Sequence, residues 1–204
     1  VEAAPDLGIG VLTLYAFSSD NWSRPPAEVS TLMRLFHRHL RSEIAELAEN
    51  GVRLQVIGRR DRLPARLVKA VEDAEEATAS GRRLLLRLAI DYSARDALVR
   101  AAMDARETEA PLDRETLADL LARAIHPRGH ALDVDLLVRT GGEQRLSDFL
   151  LWEAAYAELS FTSVMWPDYG RTELASAVAE FHRRERRFGG VSAADRPERS
   201  RAAG

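Results

Sequence analysis

From Gly10 to Phe17 the chain reads Gly-Val-Leu-Thr-Leu-Tyr-Ala-Phe, a short, mostly apolar run that gives way to the polar stretch Ser18 to Ser23. That is the pattern of a strand buried on both faces. The apolar period then changes. Between Glu28 and Glu49, Val29, Leu32, Met33, Phe36, Leu40, Ile44 and Leu47 recur at helical spacing, and Asn50-Gly51 supplies a stop. Val52 to Ile57 predicts a second strand. Pro64 opens a second helix with Leu67, Val68, Val71 and Ala74 on one face, and Leu84 to Ile90 predicts a third strand. Helices are expected over Ala94 to Ala105 and Arg114 to Ile125, and a fourth strand over Asp135 to Arg139. A helix over Phe149 to Leu159, a fifth strand over Ser160 to Trp166 and an amphipathic helix from Glu173 to Arg187 complete the series.

Strands alternating with helices predict an α/β fold, a mostly parallel central sheet flanked by helices. No repeat or linker divides the 204 residues, so one domain is expected over 1–190 and a disordered tail over 191–204. A net charge of −3 does not suit non-specific nucleic-acid binding. The absence of cysteine excludes disulfide frameworks, thiolate zinc sites and cysteine nucleophiles, and makes the cytoplasm the expected compartment. No apolar run is long enough to cross a bilayer, so any membrane contact is expected to be peripheral. The sequence opens at Val1 and enters its first apolar run almost at once, which reads as a beginning cut away.

In open parallel sheets ligands bind beyond the carboxyl ends of the strands. Strand one is followed by Ser18, Ser19, Asp20, Asn21, Trp22, Ser23 and Arg24, strand two by Gly58, Arg59 and Arg60, and strand three by Asp91, Tyr92, Ser93 and Arg95. Strand four runs into Arg139-Thr140-Gly141-Gly142-Glu143-Gln144-Arg145-Leu146-Ser147. Arginines and hydroxyls around a Gly-Gly turn suit a diphosphate, because guanidinium forks chelate phosphate oxygens and glycine lets backbone N–H groups approach the anion. Charged hydrogen bonds contribute about 1.5–3 kcal/mol each, so a few of them hold a substrate after the cost of association.

Blander roles compete at each position. A loop arginine can pair with a surface acid, and Trp22 is either a packed indole beneath its loop or a ligand contact. Glu158 is either a solvated face residue or a metal-associated carboxylate. Leu84-Leu85-Leu86, Leu88 and the helix Glu28 to Glu49 either wall an alkyl tunnel or pack the core. The histidines show no HxxxH or HExxH arrangement, and His37 and His39, two apart on a helix, point to different faces. No GxxxxGK[ST] loop, GxSxG elbow or Asp-Asp-x-x-Asp cluster is present, and Gly8-Ile9-Gly10 precedes a strand instead of following one.

Taken in order, YAFSSDNWSRP (Tyr15 to Pro25), EVSTLMRLF (Glu28 to Phe36), VRTGGEQRLSDFLLWEAAYAEL (Val138 to Leu159), FTSVMWPDYG (Phe161 to Gly170) and RERRFGG (Arg184 to Gly190) resemble the undecaprenyl diphosphate synthase family of cis-prenyltransferases. The resemblance implies a magnesium-dependent condensation, in which the double bond of isopentenyl diphosphate displaces the diphosphate of an allylic partner such as farnesyl diphosphate. A proton is then lost to give a new cis double bond. By position, the resemblance places Arg139, Arg145 and Ser147 on the isopentenyl diphosphate group and Glu158 on Mg2+ near it. Ser18, Asn21 and Arg24 would orient the reacting ends, with Trp22 in a mobile loop over them. The family's homodimer is also implied, with Arg187-Phe188-Gly189 matching an Arg-x-Gly element that completes the partner's site.

The chain departs from the family in ways that matter. The opening His…Met-Asp-Gly-Asn-Gly-Arg-Trp motif, whose aspartate holds magnesium, is not among these residues, so the fold is expected to lack its first strand and Asp loop, and the chain to turn over poorly. Where the family often reads Asn-Tyr-Gly-Gly-Arg, this chain has Asp91-Tyr92-Ser93-Ala94-Arg95, which is expected to alter the loop's path. Gln144 stands where other members carry a histidine. Each added five-carbon unit buries alkyl surface worth on the order of 3 kcal/mol, so growth continues until a tunnel is full. Small Ala16 and bulky Leu84 point to a long, undecaprenyl-like product for the cell-wall lipid carrier, made in the cytoplasm or at the inner membrane surface. A short-chain cis-prenyl diphosphate synthase and a non-catalytic partner subunit remain as alternatives.

Overall fold

The computed structural model describes residues 1–107, 111–126 and 132–184. Arg187, Gly189 and the tail 191–204 lie outside them. A short helix not anticipated from the sequence, α1 (Ala3–Asp6), precedes β1 (Val11–Ser18) and a 3-10 turn (Ser19–Ser23). The chain continues through α2 (Pro26–Glu49), β2 (Val52–Ile57), α3 (Ala65–Ala77), β3 (Leu84–Tyr92), α4 (Ala94–Ala105) and α5 (Arg114–Ile125). It ends in β4 (Leu136–Arg139), β5 (Glu158–Phe161), a 3-10 turn (Trp166–Asp168) and α6 (Arg171–Arg183).

Local chemistry sets many of these limits. Pro26 begins α2 where a missing N–H costs nothing, and Gly51, at φ +69°, follows its end. The Ser93 hydroxyl accepts from the Asp96 N–H to start α4, and the Asp113 carboxylate accepts from Thr116 to start α5.

The α/β class and the parallel pairing agree with the sequence, but the strands form two sheets. One has the order β1-β3-β2, the other pairs β4 with β5, and every pairing is parallel. β3 is central and the most thoroughly buried. Alternate residues feed two cores: Leu84, Leu86 and Ile90 join Leu54, Val56, Met33 and Leu67 beneath α2 and α3, whereas Ala89 and Tyr92 join Ile57, Ala97, Leu120 and Ile125 beneath α4 and α5. Leu84, Leu86, Leu88 and the inner face of α2 pack into the first of these cores.

The predicted helix over Phe149 to Leu159 is replaced by a series of turns. Ser147, Asp148 and Leu150 adopt left-handed backbone, with φ of +50°, +61° and +46°, which a right-handed helix cannot contain. β5 then starts at Glu158, earlier than expected, because Leu136 to Arg139 of β4 pair with Glu158 to Phe161.

Two close approaches lock the layers. At Gly58, φ +117°, a Cβ would stand 2.1 Å from the Ile90 carbonyl oxygen, while its N–H donates to the Ile125 carbonyl at 2.8 Å. Glu75 of α3 accepts from the Val56 N–H at 2.8 Å and the Arg60 guanidinium at 2.8 Å, and lies 3.1 Å from the His126 Nε2. Burial works to raise the Glu75 pKa, but the bonds from His126, Val56 and Arg60 outweigh it and hold the carboxyl below its ordinary 4.5.

Replacing Gly58→Ala is expected to cost on the order of 3 kcal/mol in urea unfolding, since both contact and backbone are violated. A depressed carboxylate pKa contributes stability above the unfolded value and loses it as pH falls through the folded one. The stability difference between the wild type and Glu75→Gln should therefore be full at neutral pH and shrink below about pH 4.5, as read from denaturation midpoints against pH.

Candidate active site

Because β1, β2 and β3 are parallel, Ser18, Gly58 and Asp91 emerge at the same end of their sheet. Asp91 organises that end. Its side chain has 0% exposure and its backbone is left-handed at φ +53°. Its carboxylate is gripped by both arms of Arg62, with Nε to Oδ2 at 2.9 Å and Nη2 against Oδ1, and accepts from the Ser19 hydroxyl at 3.3 Å. The Asp91 carbonyl accepts from the Arg59 N–H at 3.1 Å. One residue thus ties together the ends of all three strands.

The Arg62 guanidinium also lies over the Trp22 ring, 5.5 Å from its centroid. Trp22 meets Phe17 edge-on at 5.5 Å, so its indole is packed beneath the turn. Its indole N–H is buried without a partner. Asn21 accepts from the Ser18 N–H at 3.0 Å, which folds the turn back on the strand, and Arg24 pairs with Glu28 at 2.9 Å on the surface.

The Gly-Gly loop after β4 is arranged around one acid. Glu143 sits between the guanidiniums of Arg139 and Arg145. Arg139 also donates to the Ser147 hydroxyl at 2.7 Å and to the Arg145 carbonyl at 2.5 Å. These bonds, Arg139 first, hold the Glu143 carboxyl below its usual range. Arg139, Arg145 and Ser147 are therefore brought together. The glycines act otherwise than expected: Gly141 and Gly142 are left-handed at +87° and +84°, and their N–H groups donate to the Val164 and Thr162 carbonyls at 2.9 and 2.8 Å. They shape the loop and are not free for an anion.

Aromatic and capping contacts fasten this loop to the first sheet. The Tyr15 hydroxyl donates at 3.4 Å to the Tyr92 and Ser147 carbonyls, and Phe149 stacks on Tyr15 at 4.4 Å. Burial pushes the Tyr15 pKa up to about 12, so the phenol keeps its proton. Asp148 accepts from the Ser93 hydroxyl at 2.5 Å and the Arg95 N–H at 2.9 Å. Ser93 in place of a family glycine thus caps α4 and holds Asp148.

Glu158 stands apart. It opens β5 opposite Leu136, three residues before Arg139 on the paired strand, and its carboxylate binds Arg184 at 2.7 Å. Among the described residues no three His, Asp or Glu side chains gather in a way that could hold a metal ion. Arg59 and Arg60 are occupied by Asp61 and Glu75. Asp91, Arg62, Glu143, Asp148 and Tyr15 are site residues that sequence reasoning did not select.

Fold and site together describe an α/β protein whose strand ends carry forked arginines suited to a diphosphate. A family model described as "Putative undecaprenyl diphosphate synthase" matches residues 1–189. Isoprenyl transferase 1 of Bradyrhizobium diazoefficiens is 57% identical over 95% of this chain and 76% of its own. The ditrans,polycis-undecaprenyl-diphosphate synthase ((2E,6E)-farnesyl-diphosphate specific) of Pseudomonas aeruginosa is 44% identical over 94% and 77%. Among solved structures, a probable undecaprenyl diphosphate synthase from Campylobacter jejuni superposes with TM-score 0.84 at 37% identity, covering 92% of this chain and 87% of that one. Lavandulyl diphosphate synthase from Lavandula x intermedia, solved with dimethylallyl diphosphate, also gives 0.84, at 32% identity over 92% and 82%. The chain belongs to the undecaprenyl diphosphate synthase family and is a cis-prenyltransferase.

Arg62→Ala, in a background where Trp152 and Trp166 are Phe, is expected to change the emission of Trp22 as the indole loses its covering guanidinium. Asp91→Ala should cost about 2 kcal/mol, less than a fully buried pair because Arg62 keeps 35% exposure, and should produce the same emission change. An unchanged Trp22 spectrum in both would show that the fork does not position the loop.

Proposed function

We propose that this enzyme condenses isopentenyl diphosphate with an allylic diphosphate, farnesyl diphosphate being the expected starter, to build a long cis-polyprenyl diphosphate of undecaprenyl type. The observation that carries the reading is the pair of guanidiniums, Arg139 and Arg145, converging on the single carboxylate of Glu143, with the Ser147 hydroxyl on Arg139. An exposed carboxylate in such a fork is replaceable. A diphosphate brings more charge and more oxygens to the same donors, so its binding is an exchange in which Glu143 swings out. In the reaction the carbon–oxygen bond to the allylic diphosphate breaks, the isopentenyl double bond forms the new carbon–carbon bond, and a proton leaves to create the cis double bond.

The turn Ser18 to Arg24 is proposed to orient the reacting ends. Magnesium in this reading accompanies the diphosphates, with Glu158 as the carboxylate that would help bind it once Arg184 releases it. Leu84, at the opposite end of β3 from Asp91, is suitably placed to close the far end of an alkyl channel, and Ala16, at a bulge in β1, leaves room for one. No helix among the described residues is long and apolar enough to cross a membrane, so contact with the inner membrane surface would be peripheral. A homodimer in the cytoplasm, with Arg187 and Gly189 reaching the partner's site, belongs to the same proposal.

A version carrying the family's opening aspartate motif ahead of Val1, purified and given Mg2+, farnesyl diphosphate and labelled isopentenyl diphosphate, should form longer prenyl products that chromatography resolves by length. Arg139→Ala should lower kcat/KM by about 100-fold or more with the fold intact. An unchanged rate in that variant would overturn the assignment, and turnover by the purified chain alone would remove the non-catalytic alternative.

A further inference from the structure

A groove of about 500 Å³ is lined by Arg34, His37, Arg38, Arg41 and Ser42 of α2 and by Arg66 of α3. Positions 34, 37, 38 and 41 are spaced by three and four, so they share one face of α2, and the first turn of α3 brings Arg66 alongside. No carboxylate lines it. Several arginines elsewhere are spent on acids, as in Arg60 with Glu75, Arg62 with Asp91 and Arg83 with Asp6. Within the groove Arg34 bonds to the Thr31 hydroxyl at 3.0 Å, and Arg38, Arg41 and Arg66 have no hydrogen bond or ion pair with a described residue. Ser42, at its edge, donates to Glu43 at 2.9 Å and to the His39 carbonyl at 3.2 Å. In a chain of net charge −3, such a concentration of guanidiniums without acid partners is a positive patch that attracts anions from solution.

We propose that this groove is a second anion site that takes a polyphosphate group, separate from the Arg139 loop. Charge matching sets the class. One phosphate monoester carries about −1.5 to −2, whereas the groove offers more unpaired positive charge than that, so two or more linked or adjacent phosphates are needed to balance it. The concave shape and the planar donors of four arginines suit phosphate oxygens over a flat protein surface. Arg66 also lines a neighbouring groove whose walls include Trp22, Arg24, Met33, Arg62 and Leu63. An anion held by Arg66 therefore sits next to the turn that carries Trp22. The phosphates come either from a soluble polyphosphate or from clustered headgroups of anionic lipid.

The test uses inorganic triphosphate as the soluble probe, in an Arg139→Ala background that weakens the first site. Calorimetry should show binding that falls about 10-fold or more in Arg38→Ala/Arg41→Ala and, from the other helix, in Arg66→Ala, and that weakens with added salt. Thermal unfolding of each variant checks that the fold persists. A parallel arm sediments the protein with phosphatidylcholine vesicles with and without phosphatidylglycerol. Triphosphate binding lost in the variants assigns a soluble ligand, and loss confined to the anionic vesicles assigns a headgroup. If both variants bind triphosphate and anionic vesicles as the parent does, the groove is not an anion site, whatever the prenyl transfer assay gives.

Discussion

A carboxylate removed from water at the carboxyl end of a central strand is tolerable only if a cation is held against it, and in this protein the cation is Arg62 on Asp91. That requirement fixes the segment after β2 beside β3, and the Ser19 hydroxyl on the same carboxylate fixes the turn after β1. The guanidinium is then committed to a position over Trp22, and Trp22 to its contact with Phe17. The loop proposed to meet substrate is therefore placed by a chain of contacts that begins with a buried charge.

The second half of the site follows a different logic. The Arg139 loop is built from exposed or half-exposed charges that satisfy one another through Glu143, and such pairs exchange readily with other anions. What is rigid is the frame around them: the two glycine N–H groups are consumed by the segment after β5, and Asp148 and Phe149 are anchored to α4 and Tyr15. A rigid frame with replaceable charges lets the ligand compete with Glu143 without paying to order the loop.

Much of the fold was legible along the chain because burial imposes a period. The strands Val52–Ile57 and Leu84–Tyr92 are short, mostly apolar runs, and the faces of α2 and α3 repeat at helical spacing, so their limits could be read within a residue or two. The segment Phe149 to Leu159 misled for the complementary reason. Its apolar residues are spaced as in a helix, but Leu150 within it and Ser147 and Asp148 just before it are left-handed, and contacts with Ser93, Tyr15 and Arg139 hold residues 147–149, which no local pattern reports. The division into two sheets was equally out of reach, since pairing partners lie far apart in the chain.

The site divides along the same line. Arg139, Arg145 and Ser147 were visible because a short loop crowded with arginine and glycine is chemically conspicuous and its members meet one another. Arg62 was not, because its meaning depends on an aspartate 29 residues away. Sequence by itself determined the element types, the α/β class and the family, all of which follow from local periodicity and short motifs. Tertiary structure alone decided that Trp22 is packed under Arg62, that the glycine N–H groups serve the segment after β5, and that Glu158 faces Arg184. Those outcomes rest on which distant groups share a buried neighbourhood, and charge and hydrogen bonding act through space, not along the chain.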